Sequence, residues 1–112
     1  MRQTQTTELL VPFEIWEVML DNSTIKFFKP LIVQPEILPP KEPGDRTYWL
    51  VEVPELMIST CGEEYHTIRS GVLSDIRDAW QHIVSLPDDD LSQNGRKVKR
   101  NYLALAEEML DE

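Results

Sequence analysis

Few side chains in this sequence are able to do chemistry alone: one cysteine, Cys61, and two histidines, His66 and His82. Cys61 stands just ahead of a predicted helix, whose N-terminus can depress a thiol pKa, so a Cys61–His66 nucleophile pair is formally conceivable. No orienting third group or oxyanion donor accompanies it, and a small semi-buried strand residue is the plainer reading. The histidines lie sixteen residues apart on one predicted helix, not at the i, i+4 spacing of a metal pair. No cysteine stands at ligand spacing from either. Asp75 and Asp78, with Arg69 and Arg77, decorate the polar side of that helix, and acid–base work needs a convergence that one helix face does not supply. Gly44, Gly62, Gly71 and Gly95 are scattered and make no phosphate loop. We therefore assign no catalytic residue, cofactor or metal, and expect a protein that is not an enzyme.

The one cluster that local helix physics does not explain is basic. Arg96, Lys97, Lys99 and Arg100 fall in the first turns of a predicted helix, where the dipole disfavours cations by about 0.3–1 kcal/mol each. Four residues further on stand Arg100, Asn101, Leu103 and Ala104, so no carboxylate on the same helix offsets them. The helix acids, Glu107, Glu108, Asp111 and Glu112, gather at its opposite end. Compensation must come from elsewhere: the Asp88-Asp89-Asp90 loop, another subunit, or an external phosphate. These four cations are the candidate nucleic-acid or partner-binding residues. No recognisable second reading helix precedes them, so a helix-turn-helix is not indicated.

Composition narrows the choice. The 112 residues suit one domain with a modest core, and 41% apolar content argues for a folded chain. A net charge of −9 repels nucleic acid and anionic membranes, which favours protein pairing of the basic cluster over RNA or DNA. A single cysteine allows no intrachain disulfide and fits a reducing compartment. The N-terminal stretch lacks the apolar run of a secretory signal or membrane span. The expectation is a soluble cytoplasmic protein.

The elements that must position these residues are readable in outline. Residues 1–8 are polar and expected to fray. The apolar segment 9–20 reads as a strand or as a short helix starting at Pro12, with the turn cluster Asp21-Asn22-Ser23 favouring the strand. As a regular strand it groups Phe13, Ile15 and Met19 on one face and Trp16, Val18 and Leu20 on the other. Thr24 to Gln34 is its hairpin partner, and Pro30 requires an edge position or a bulge. Residues 35–45 hold Pro35, Pro39, Pro40 and Pro43 and read as a loop, either a stiff connector or a PxxP ligand. Tyr48 to Val53 is the strongest strand; Pro54-Glu55 breaks it, and Leu56 to Thr60 resumes it up to Gly62.

A first helix follows from about Glu63 to Val84, with Tyr65, Ile68, Val72, Ile76, Ala79 and Ile83 along one stripe. Gly71 inside it implies that a strand or second chain passes close by. After Leu86-Pro87, Ser92 or Asn94 caps a second helix running to about Leu110, its apolar face being Val98, Tyr102, Leu105, Ala106 and Met109. The fold class is α+β: an antiparallel sheet of three to four strands covered by one long helix, plus a C-terminal helix, in the order β-β-β-α-α.

The run Tyr48-Trp49-Leu50-Val51-Glu52-Val53-Pro54-Glu55-Leu56, then Thr60-Cys61-Gly62-Glu63 and an amphipathic helix, resembles the HicB-like antitoxin domain over residues 48–84. Met57-Ile58 stands where that family has Pro-Gly, and Tyr65-His66-Thr67 where it has a small, acidic helix start. The resemblance implies a β-β-β-α fold and a non-enzymatic protein that forms a homo-oligomer, a dimer or higher, and binds a small toxin-like RNase. The acidic field suits such a basic, RNA-handling partner. The alternative is a nucleic-acid-binding regulatory protein that uses the basic start of the C-terminal helix.

Overall fold

In a computed structural model of the chain, residues 12–38, 41–44 and 46–111 are described. The fray expected of residues 1–8 lies outside them. The architecture is α+β. Its elements are β1 (Phe13–Met19), β2 (Ser23–Val33), β3 (Glu36–Leu38), β4 (Tyr48–Val53), β5 (Ile58–Gly62), α1 (Tyr65–Ala79), α2 (Gln93–Leu105) and β6 (Ala106–Leu110). Among the described residues the strands form two antiparallel sheets of three, β1-β2-β6 and β3-β4-β5, where one sheet was expected.

The first sheet departs from regular pairing at one point. Ile15 faces Leu31, yet Glu17 already faces Lys26, so residues 27–30 of β2 bulge opposite Trp16. Pro30 sits in this bulge, where its missing N–H costs no ladder bond. The bulge also moves the side-chain period by one. Val18 joins Ile15 in the core, while Met19 turns outward with Trp16, unlike the grouping expected of a regular strand. β3 was expected to be loop. Between Pro35 and Pro39 the residues Glu36, Ile37 and Leu38 all keep their amide donors, and they pair with Leu50, Trp49 and Tyr48.

Between β4 and β5, Pro54–Leu56 form a 3-10 turn that Met57 closes in the left-handed region at φ 55°. Leu56 therefore belongs to the turn and not to a strand. α1 buries Ile68, Val72, Ile76 and Ala79, continues through a π turn at Trp80–Val84, and packs on β4, β5 and β1. At Gly71 the neighbour is β5: an added Cβ would stand 2.4 Å from Thr60 Cγ2. Asp75 fastens the same crossing, accepting hydrogen bonds from Ser59 N–H at 3.0 Å and Thr60 Oγ1 at 2.7 Å. It covers an amide of the edge strand and is not merely solvated.

α2 is capped by Ser92, whose Oγ accepts from Gly95 N–H at 3.1 Å. Val98 and Tyr102 enter the core, and the Tyr102 hydroxyl donates to Leu56 O at 2.5 Å. Burial first, and the negative charge of Asp75 second, raise the Tyr102 pKa above its ordinary value. The helix stops at Leu105 and not near Leu110. From Ala106 the chain pairs with β2, placing Ala106 opposite Phe27 and Leu110 opposite Ser23. One buried cluster joins both sheets and both helices, from Ile15 and Ile25 through Val51, Ile58 and Val72 to Tyr102 and Ala106.

Candidate functional site

The four cations of α2 differ in their surroundings. Helical spacing puts Lys99 beside the inward-facing Val98 and Tyr102, and its ammonium reaches Leu86 O at 2.6 Å and Asp88 Oδ1 at 3.0 Å. Arg96 Nε donates to Asp88 O at 3.0 Å. The loop before α2 thus supplies a carboxylate for Lys99 and a backbone carbonyl for Arg96. Arg96, Lys97 and Arg100 make no ion pair among the described residues and stand exposed, Lys97 beside Pro54 and Glu55. The net charge of −9 works against a phosphate at these three cations.

The remaining candidates do not assemble. Cys61 is a free, exposed thiol. His66 lies 3.9 Å from Glu64, both well exposed, while His82 lines a shallow cavity of about 230 Å³ with Met57, Asp75 and Asp78. Among the described residues no three His, Cys, Asp or Glu side chains are placed to hold a metal ion.

What the fold does present is a face of the first sheet. Cross-strand register puts Met19, Thr24 and Met109 in one row and Glu17, Lys26 and Glu107 in the next. Glu14 and Ile32 form a further row beyond the bulge, Trp16 lies opposite the bulged residues 27–30, and Phe28 belongs to that bulge, where it borders Ala104 and Leu105 of α2. Trp16 (58% exposed), Met19 (66%), Phe28 (58%) and Ile32 (55%) all lie open. Exposed aromatic and aliphatic side chains on one sheet face are a feature that interaction surfaces use. Its rows carry Glu14, Glu17 and Glu107 against Lys26, and the bulge adds the exposed Lys29, so the face is acidic by one charge.

Sequence reasoning missed this face. The aromatic residues were visible, but the bulge that sends Trp16 and Met19 to the same side leaves only a Pro30-shaped trace. The last strand, which contributes Glu107 and Met109, reads as helix.

No family model, curated protein or solved structure matches the chain. Among the described residues no helix is long and apolar enough to cross a membrane.

Proposed function

We propose that this chain is a non-enzymatic interaction module of the HicB-like antitoxin kind: a cytoplasmic homo-oligomer that masks a basic, RNA-handling protein. The observation that carries the reading is the open outer face of the first sheet, where Trp16, Met19, Phe28 and Ile32 are interleaved with Glu14, Glu17 and Glu107. Apolar anchors give such a face its contact energy, and the carboxylates select a cationic partner and speed the encounter. The succession β3-β4-β5-α1 supports the resemblance, since it is the order of elements expected of that family. Co-purification from the native host followed by mass spectrometry tests the reading. Recovery of a small basic protein supports it, and recovery of no stable partner counts against it.

A second reading, nucleic-acid binding, rests on Lys97 and Arg100, the two cations that the Asp88 loop leaves open. Two phosphate contacts predict a log–log salt slope of about −2 for duplex DNA. Lys99 belongs to this reading only if binding breaks its contacts to Asp88 and Leu86, whereas Arg96, exposed and engaged through Nε alone, keeps free N–H donors for a phosphate. A salt titration with Lys97→Gln/Arg100→Gln tests it, and binding that survives that pair of changes eliminates it.

A further inference from the structure

Residues 106–110, Ala-Glu-Glu-Met-Leu, form a strand although every one of them is a good helix former. Ala and Glu are, in addition, depleted from strands. α2 passes into β6 with no residue between them: Leu105 is helical and Ala106 is extended at φ −153°, ψ 166°. The stretch from Tyr102 to Leu110 contains no glycine or proline, and no asparagine, to stop a helix. The apolar stripe of α2, Val98, Tyr102 and Leu105, continues in helical register to Met109. As a strand, the segment buries only Ala106, leaving Met109 46% and Leu110 80% exposed.

Besides the antiparallel ladder with β2, a short set of side-chain contacts holds it extended. The Glu108 carboxylate accepts from Ser23 Oγ at 2.6 Å and from Trp80 Nε1 at 2.7 Å. Beyond it, Thr24 Oγ1 donates to Asp111 Oδ1 at 3.2 Å, and Asp111 N–H donates to Asn22 O at 3.0 Å. Charge opposes the helix as well, since a longer α2 would set Glu107, Glu108 and Asp111 at its negative end. Local propensity and tertiary contacts thus favour different states of the same residues. A groove of about 360 Å³ opens beside the hinge, lined by Phe27, Pro30, Leu31, Ala104 and Leu105, while Ala106 itself is buried.

We infer that residues 106–110 are a conformational switch, exchanging between strand β6 and a continuation of α2. In the helical state the β2 edge from Ser23 to Phe27 is unpaired and open to an added strand. The switch does not depend on the identity of any partner.

NMR of the full chain tests it. Glu108→Ala removes both carboxylate contacts and inserts the best helix former. Its Cα shifts at 106–110 are expected to turn helical while those of α1 and the second sheet stay native. Native shifts elsewhere with 106–110 still extended overturn the inference. Should this variant not fold, the unaltered protein decides through amide exchange. Exchange at 106–110 and at the β6-paired amides of β2 is expected to be at least about tenfold faster than in β4, by a shared local opening. Exchange in β6 as slow as in β4 overturns it. In a folded control, Glu107→Thr/Met109→Val, two residues that favour strands should slow the opening, and unchanged or faster opening counts against the switch.

Discussion

Gly71 and Thr60 meet where α1 crosses β5, and a methyl group at Gly71 would come within 2.4 Å of Thr60 Cγ2. Helix propensity alone favours Gly71→Ala by about 1 kcal/mol. The overlap with a side chain fixed by its bond to Asp75 outweighs that gain, so Gly71→Ala should lose about 1–3 kcal/mol in urea denaturation. Adding Thr60→Ser removes the offending methyl but keeps the hydroxyl, and most of the loss should return. Tyr102 supports a second residue-scale prediction. Tyr102→Phe leaves the buried Leu56 carbonyl without its donor and should cost about 1–3 kcal/mol. The unfolded phenol ionises near pH ~10, while burial keeps the folded one protonated to higher pH. Both states are neutral below that pH, where the contribution is complete. Above it the unfolded state releases its proton first and stability falls. Tyr102→Phe should remove that part of the alkaline slope in pH-dependent thermal melts.

At the scale of elements, the start of α2 separates two readings that the sequence leaves equal. Ser92 accepts the Gly95 amide, so Ser92→Ala should cost about 1 kcal/mol by chemical denaturation. Asn94→Ala, inside the helix, should not. The stripe of α1 was legible because its apolar spacing is long and regular, and burial of Ile68, Val72 and Ile76 follows it. The hairpin partner of β1 and the bulge at Pro30 were legible for a chemical reason, a proline that cannot donate. β3 was not, because the prolines on either side dominate the composition of its three residues. β6 was not either: its residues prefer a helix, and only Trp80 and Ser23, distant in sequence, supply the bonds that hold Glu108 in a strand.

At the scale of the whole molecule, the acidic charge and the candidate surface point the same way. The carboxylate that answers Lys99 is out of view in the sequence, because Asp88 reaches it only through the fold. The fold sets Asp88 against Arg96 and Lys99, which leaves a sheet face as the larger open feature. Trp16 and Phe28 are each only a little more than half exposed, so Trp16→Ala/Phe28→Ala should cost about 1–2 kcal/mol per site from the apolar area that stays buried, which a urea melt of the variant checks. The same change should remove the apolar anchors of the proposed interface.

Affinity purification of the unaltered chain and of Trp16→Ala/Phe28→Ala from the native host, compared by quantitative mass spectrometry, tests the account most directly. A small basic protein is expected to be retained by the unaltered chain and lost from the folded double variant. Equal retention by both, or retention of no basic protein by the unaltered chain, would contradict it.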